Sequence, residues 1–117
     1  MPSERARKAL FDIRENILLA ETWTADLSLA QFADNRVVFY AVTRCLEIIS
    51  EASRRLPPEL RRRHPDIEWR NMRDAGNIYR HDYDGVREHI TLRTVREALP
   101  PLLAAVQIEL LASEAKT

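Results

Sequence analysis

The stretch DNRVVFYAVTRCLEIISEASRRLPP, residues 34–58, decides the fold. Val38, Val42, Cys45, Leu46, Ile49 and Ala52 recur three and four residues apart, which places them on one face of an α-helix. The pair Pro57 and Pro58 must end that helix, because proline has no N–H to donate and its ring blocks the turn before it. The spacing therefore predicts a core helix over 34–56. Cys45, inside this apolar run, is the one cysteine of the chain, so no internal disulfide can form and it reads as a small core residue in a reducing compartment.

Working outward, the same periodicity continues on both sides. A first helix is expected over 3–22, with Ala9, Leu10, Ile13, Ile17, Leu18 and Ala20 on its apolar face. Ser28 followed by Gln31 has the form of a capping box and should open a short helical turn holding Leu29 and Phe32. Beyond the prolines, 59–63 can form one more turn, and Asp66 is the candidate cap of a third helix over 67–80. A turn is expected at 82–85. A last helical region should cover 88–112, bent near Pro100 and Pro101. Strand-like alternation is absent, so the fold class is all-α, with four principal helices forming a bundle in a single domain over 1–117.

Composition narrows the functional classes. No run reaches the roughly 18 apolar residues of a membrane span. The N-terminal MPSERAR lacks the apolar centre of a signal peptide, which makes the cytoplasm the expected location. The 18 basic and 18 acidic residues cancel overall but not locally. Between Arg54 and Arg80, eight arginines face the four acids Glu59, Asp66, Glu68 and Asp74, an excess of four positive charges. Guanidinium groups grip phosphate or carboxylate in two places, so an anionic partner fits this stretch; so does simple solvation of helix faces. The cluster Arg61, Arg62, Arg63 and His64 could track an RNA backbone, bind an acidic surface or remain solvated. Calcium-loop and zinc spacings are missing around Asp82, Asp84, Glu88 and the three histidines, and no phosphate-cradling glycine loop or nucleophile motif occurs. No metal or cofactor is expected.

On a helix over 67–80, Arg73, Asn77 and His81 stand four apart on one drifting polar stripe, which Arg70 can extend, while Met72, Ala75 and Tyr79 fall on the opposite side. RNA cleavage needs a base for the 2′-hydroxyl, an acid for the leaving oxygen and donors for the charge on phosphorus. His81 suits the proton work, Arg73 or Arg80 the phosphate, and Asn77 its orientation. The alternative is a histidine that complements the helix end and an asparagine that is only solvated. Gly76 inside a helix costs about 1 kcal/mol relative to alanine, which points to close approach of another backbone, a partner or a ligand. Glu51 on the core helix is a candidate to orient the imidazole or hold an arginine; an exposed carboxylate beside Arg54 or Arg55 is its other reading.

The run WRNMRDAGNIYRHDY, residues 69–83, resembles the signature region of HepT-like proteins in the HEPN superfamily. LEIISEASRRLP at 46–57 is similar to that family's core-helix ending, RHPDIEW at 63–69 to its connector and LPPL at 99–102 to its bent final helix. The resemblance implies a dimeric HEPN-like bundle of four to five helices. It also implies a metal-independent endoribonuclease built from an arginine and a histidine near the dimer interface, acting as the toxin of a type II toxin-antitoxin pair. The implied partners are a second copy, RNA and a minimal nucleotidyltransferase antitoxin, which in this family can adenylylate the tyrosine of a His-x-Tyr ending, here Tyr83 after His81. A ring packed over the helix end is the other role for Tyr83. One departure stands out: the family pattern places an arginine directly before the asparagine, where this chain has Gly76, so Arg73 or Arg80 must complete the site. The alternative function is a catalytically weakened module that binds RNA or the nucleotidyltransferase.

Overall fold

The computed structural model describes residues 3–76 and 86–115. Among them the chain is all-α, as expected, and no helix is long and apolar enough to cross a membrane. Helix α1 spans Glu4–Thr24, α2 Leu29–Asp34, α3 Arg36–Arg54, α4 Pro58–Arg62, α5 Trp69–Asp74, α6 Val86–Arg93 and α7 Leu99–Ala115. Between α6 and α7 the five residues Thr94–Ala98 form a π-helical turn. The bundle is built on α3 packed against α1, with α7 also packed against α1 and α5 against α3.

Local chemistry sets the helix starts. Ser3 accepts the Ala6 N–H at 3.1 Å and begins α1. Ser28 and Gln31 form the reciprocal capping box that opens α2, with the Ser28 N–H donating to Gln31 Oε1 at 2.9 Å and the Gln31 N–H to Ser28 Oγ at 3.1 Å. The core helix starts at Arg36 rather than at 34, because Asn35 serves two helices. Its N–H closes α2 on Gln31 and Phe32, and its side-chain oxygen accepts the Val38 N–H at 3.1 Å to open α3.

The apolar stripes are buried largely as their spacing demands. Leu10, Ile13, Ile17, Val42, Leu46 and Ile49 are fully enclosed. Two positions differ. Leu18 is 45 % exposed, since one residue past Ile17 turns it about 100° from the stripe. Phe39 takes the core place expected of Val38, meeting Phe32 edge to face at 5.8 Å between ring centres. The final helical region departs from regular geometry before the prolines rather than at them. Pro100 and Pro101 cannot donate to carbonyls four residues back, and their rings crowd that turn. The chain widens there, and the Leu99 N–H reaches back five residues to Thr94.

A carboxylate on α7 ties down the connector between α4 and α5. Glu109 is 5 % exposed and receives Arg63 Nη2 at 2.7 Å, Arg63 Nε at 3.2 Å and His64 Nε2 at 2.7 Å. An ionised carboxylate only accepts, so this imidazole nitrogen carries the hydrogen. The Arg63 hydrogen bond is the main influence holding Glu109 below the ordinary carboxylate range; burial opposes it and His64 adds to it. A lowered folded value stabilises the protein fully above the unfolded glutamate range, and that contribution disappears as pH falls through the folded value. Glu109→Gln should therefore cost about 2 kcal/mol near neutrality, between an exposed pair and a buried one, in urea unfolding. The gap between variant and wild type should narrow as pH falls through the lowered folded value of Glu109.

Candidate functional site

Helix α5 is short, and its ends are fixed by its neighbours. Trp69 opens it with Nε1 shared between the carbonyls of Arg61 and His64, each at 3.1 Å. The residue before the helix is Glu68, with no side-chain cap, so Asp66 is not the cap that its sequence position suggested. It lies in a turn closed by the Ile67 N–H on the His64 carbonyl, three positions before the first residue of the helix. Met72 is the buried side chain of α5, on the side expected of it, and Ala75 is half-buried. The helix runs over Trp69–Asp74 within the span expected at 67–80, and Ala75 and Gly76 form a turn rather than helix interior.

That turn lies on α3. The Arg73 carbonyl accepts the Ser50 hydroxyl and Arg54 Nη2, the latter at 3.0 Å. A β-carbon on Gly76 would stand 3.2 Å from Glu47 Cα and 3.3 Å from Ser50 Cβ, closer than ordinary contact. The glycine thus marks a close backbone approach, one of the readings its sequence position allowed. Any side chain at 76 therefore requires the turn or α3 to shift by a few tenths of an ångström.

The remaining candidates divide by position. Arg70 is exposed. Arg73 is half-buried, and its Nε is shielded from water with no hydrogen-bond partner among the described residues. The Glu51 side chain is 68 % exposed and lies 3.7 Å from Arg54 Nη1. Asn77, Arg80, His81 and Tyr83 lie outside the described residues, as does the turn expected at 82–85. Within the basic cluster, Arg63 and His64 are engaged by Glu109.

Sequence reasoning missed Ser50 and the pair Arg36 and Glu88. Ser50 had a signal, a hydroxyl four residues after Leu46 on an apolar stripe. Glu88, in the first turn of α6, receives Arg36 Nη1 at 3.1 Å, while Arg36 also stacks over Phe39 at 4.6 Å. Burial pushes Glu88 up, but backbone and Arg36 hydrogen bonds together outweigh it and leave its pKa lowered. The pair ties the start of α3 to the start of α6, directly after the segment at 77–85. A groove of about 610 Å³ opens between α5 and the α6–α7 rod. Asp66, Glu68, Asp74 and Glu97 on its walls outnumber Arg93, so the described lining repels phosphate.

The family model for HepT-like proteins, described as Ribonuclease HepT-like, matches residues 13–108. A protein named "Probable ribonuclease HepT" from Thermococcus cleftensis is 39 % identical over 93 residues, covering 80 % of this chain and 84 % of its own. A protein of Methanocaldococcus jannaschii with "Putative RNase" in its name is 36 % identical over 107 residues, covering 91 % and 98 %. Another so named, from Caldanaerobacter subterraneus, is 33 % identical over 76 residues, covering 65 % and 68 %. No solved structure matches the chain.

The packing of α5 makes a stability prediction. Met72→Ala should cost about 2 to 3 kcal/mol, at the lower end for a buried truncation because α5 is a peripheral helix that can settle. Chemical denaturation measures the loss. Amide exchange should accelerate in Trp69–Asp74 before it does in α1 or α3.

Proposed function

The chain belongs to the HepT-like ribonuclease family, and we propose that it is a metal-independent RNA endonuclease, the toxin of a type II toxin-antitoxin pair acting in the cytoplasm. The observation that carries this reading is the family match over residues 13–108, which takes in the whole polar segment from Arg70 to Tyr83. In the proposed reaction His81 removes the proton of a ribose 2′-hydroxyl, and the freed oxygen attacks phosphorus. The bond to the 5′ oxygen breaks, and that oxygen leaves with a proton from solvent, giving a 2′,3′-cyclic phosphate and a 5′-hydroxyl. Arg73 holds the phosphate, supported by Arg70 and Arg80, and Asn77 orients it; Glu51 supports the site from α3. The Nε of Arg73, shielded from water and without a partner among the described residues, is in keeping with a guanidinium held ready for a ligand.

Around this chemistry we place a homodimer, an RNA substrate and a minimal nucleotidyltransferase antitoxin that adenylylates Tyr83. A second reading has one observation in its favour: Gly76 occupies the family's arginine position and lies close against α3. On that reading the chain binds RNA or the nucleotidyltransferase without cutting.

Purified protein in EDTA separates the two. Catalysis predicts cleaved RNA ending in cyclic phosphate and no cleavage by His81→Ala. It also predicts a loss of on the order of a hundredfold in kcat/KM for Arg73→Ala, as for removal of a donor to the transition state. RNA that is bound by wild type and never shortened selects the binding module instead.

A further inference from the structure

Helix α3 buries three hydroxyls, and they do not behave alike. Thr43 and Ser53 turn back on their own helix, donating to the carbonyls of Phe39 and Ile49 at 2.8 Å each, the ordinary recourse of a hydroxyl inside a helix. Ser50, 4 % exposed, instead reaches out of the helix to the Arg73 carbonyl on α5. That carbonyl stands near the end of α5, and the serine hydroxyl is a donor to it from another helix. It receives a second one from Arg54 Nη2 at 3.0 Å, which occupies both lone pairs. Three residues later the same serine is met again, because its Cβ and Glu47 Cα form the surface on which Gly76 lies.

From this geometry we infer that Ser50 is a positioning residue of the proposed nuclease site, fixing with Arg54 and the bare face of Gly76 the point from which the chain enters the segment that bears Asn77 and His81. The inference rests on the reading of that segment as the RNA-cleaving one. Catalytic power depends on placing the reacting groups to within fractions of an ångström, so a turn held at its carbonyl and at its α-carbon sets the starting point of that placement. Ser50 touches neither RNA nor the transferred proton. Its loss therefore acts on turnover more than on substrate binding, which depends on the arginines.

The test uses the 117-residue chain as wild type, Ser50→Ala, Gly76→Ala and Gly76→Arg, with a fluorescent single-stranded RNA as substrate. Melting temperature and amide exchange are measured on the same preparations. Ser50→Ala should lower kcat by roughly tenfold to a hundredfold, the cost of a small misplacement, while KM stays within about twofold. Its melting temperature should fall by only a few degrees, and exchange should quicken at 73–80 while α1 remains protected. Gly76→Ala should fall between wild type and Ser50→Ala, and Gly76→Arg should stay folded yet lose cleavage although it restores the family's residue. Unchanged kcat in Ser50→Ala, a loss that merely follows the folded fraction, or a Gly76→Arg variant more active than wild type overturns the inference. If wild type does not cut RNA, the nuclease reading fails by itself and exchange decides the rest. Faster exchange confined to 73–80 in Ser50→Ala supports the seat, and exchange identical to wild type removes it.

Discussion

Helix α3 is packed on two sides at once, and the rest of the molecule depends on that double contact. To the core it shares with α1 it contributes Val42, Leu46 and Ile49, fully buried, each worth about 1.5 to 3 kcal/mol as an enclosed aliphatic side chain. Toward α5 it presents Glu47, Ser50 and Arg54, spaced by three and four residues and so aligned along the helix. The apolar face makes α3 rigid, and the second edge uses that rigidity to hold another backbone. Small or hydrogen-bonding groups are needed there because α5 comes too close for larger ones.

The charges follow a similar division of labour. Arg55 at the end of α3 meets Asp12 of α1 at 3.0 Å, Arg63 meets Glu109 of α7, and Arg36 meets Glu88 of α6. Each pair joins parts of the chain that are remote in sequence. Arginines that composition would assign to an anionic partner are therefore partly occupied within the fold. Arg54, Arg55 and Arg63 all come from the stretch that carries the excess positive charge, so an RNA strand meets less of that excess than the sequence offers. Of the other described arginines in that stretch, Arg62 and Arg70 are exposed, and Arg73 has a shielded nitrogen with no partner among the described residues.

Features determined within a few residues were legible in the sequence. The Ser28–Gln31 box capped a helix where it was expected to, since a cap is a contact between residues three apart. Proline after Leu56 ended α3, and periodicity found most of its stripe. What periodicity could not supply was any choice made by a distant neighbour. Asp66 looked like a cap, but the connector follows the Trp69 indole to the carbonyls of Arg61 and His64 and the Glu109 carboxylate to Arg63. Asn35 divides one apolar run into two helices by capping both, and apolar spacing alone passes through such a residue. In the candidate site, the close approach at Gly76 was readable from a glycine in helical surroundings, while Ser50, the residue approached, was hidden among apolar neighbours.

The displaced arginine and the glycine then have one physical origin. At position 76 the backbone lies within 3.2 Å, measured from a would-be β-carbon, of α3. Any side chain there starts from a β-carbon already tight against Glu47 and Ser50, so the turn and α3 must shift by a few tenths of an ångström to admit it. Three residues earlier, nearly one helical turn and about 4.5 Å of rise, the chain carries Arg73, whose carbonyl is pinned to α3 and whose side chain is not consumed by a described partner. A cation one turn back leaves the seating of the turn undisturbed, whereas any side chain at the turn itself presses on α3. In the proposed site, bare seating at Gly76 goes with an arginine placed one turn earlier.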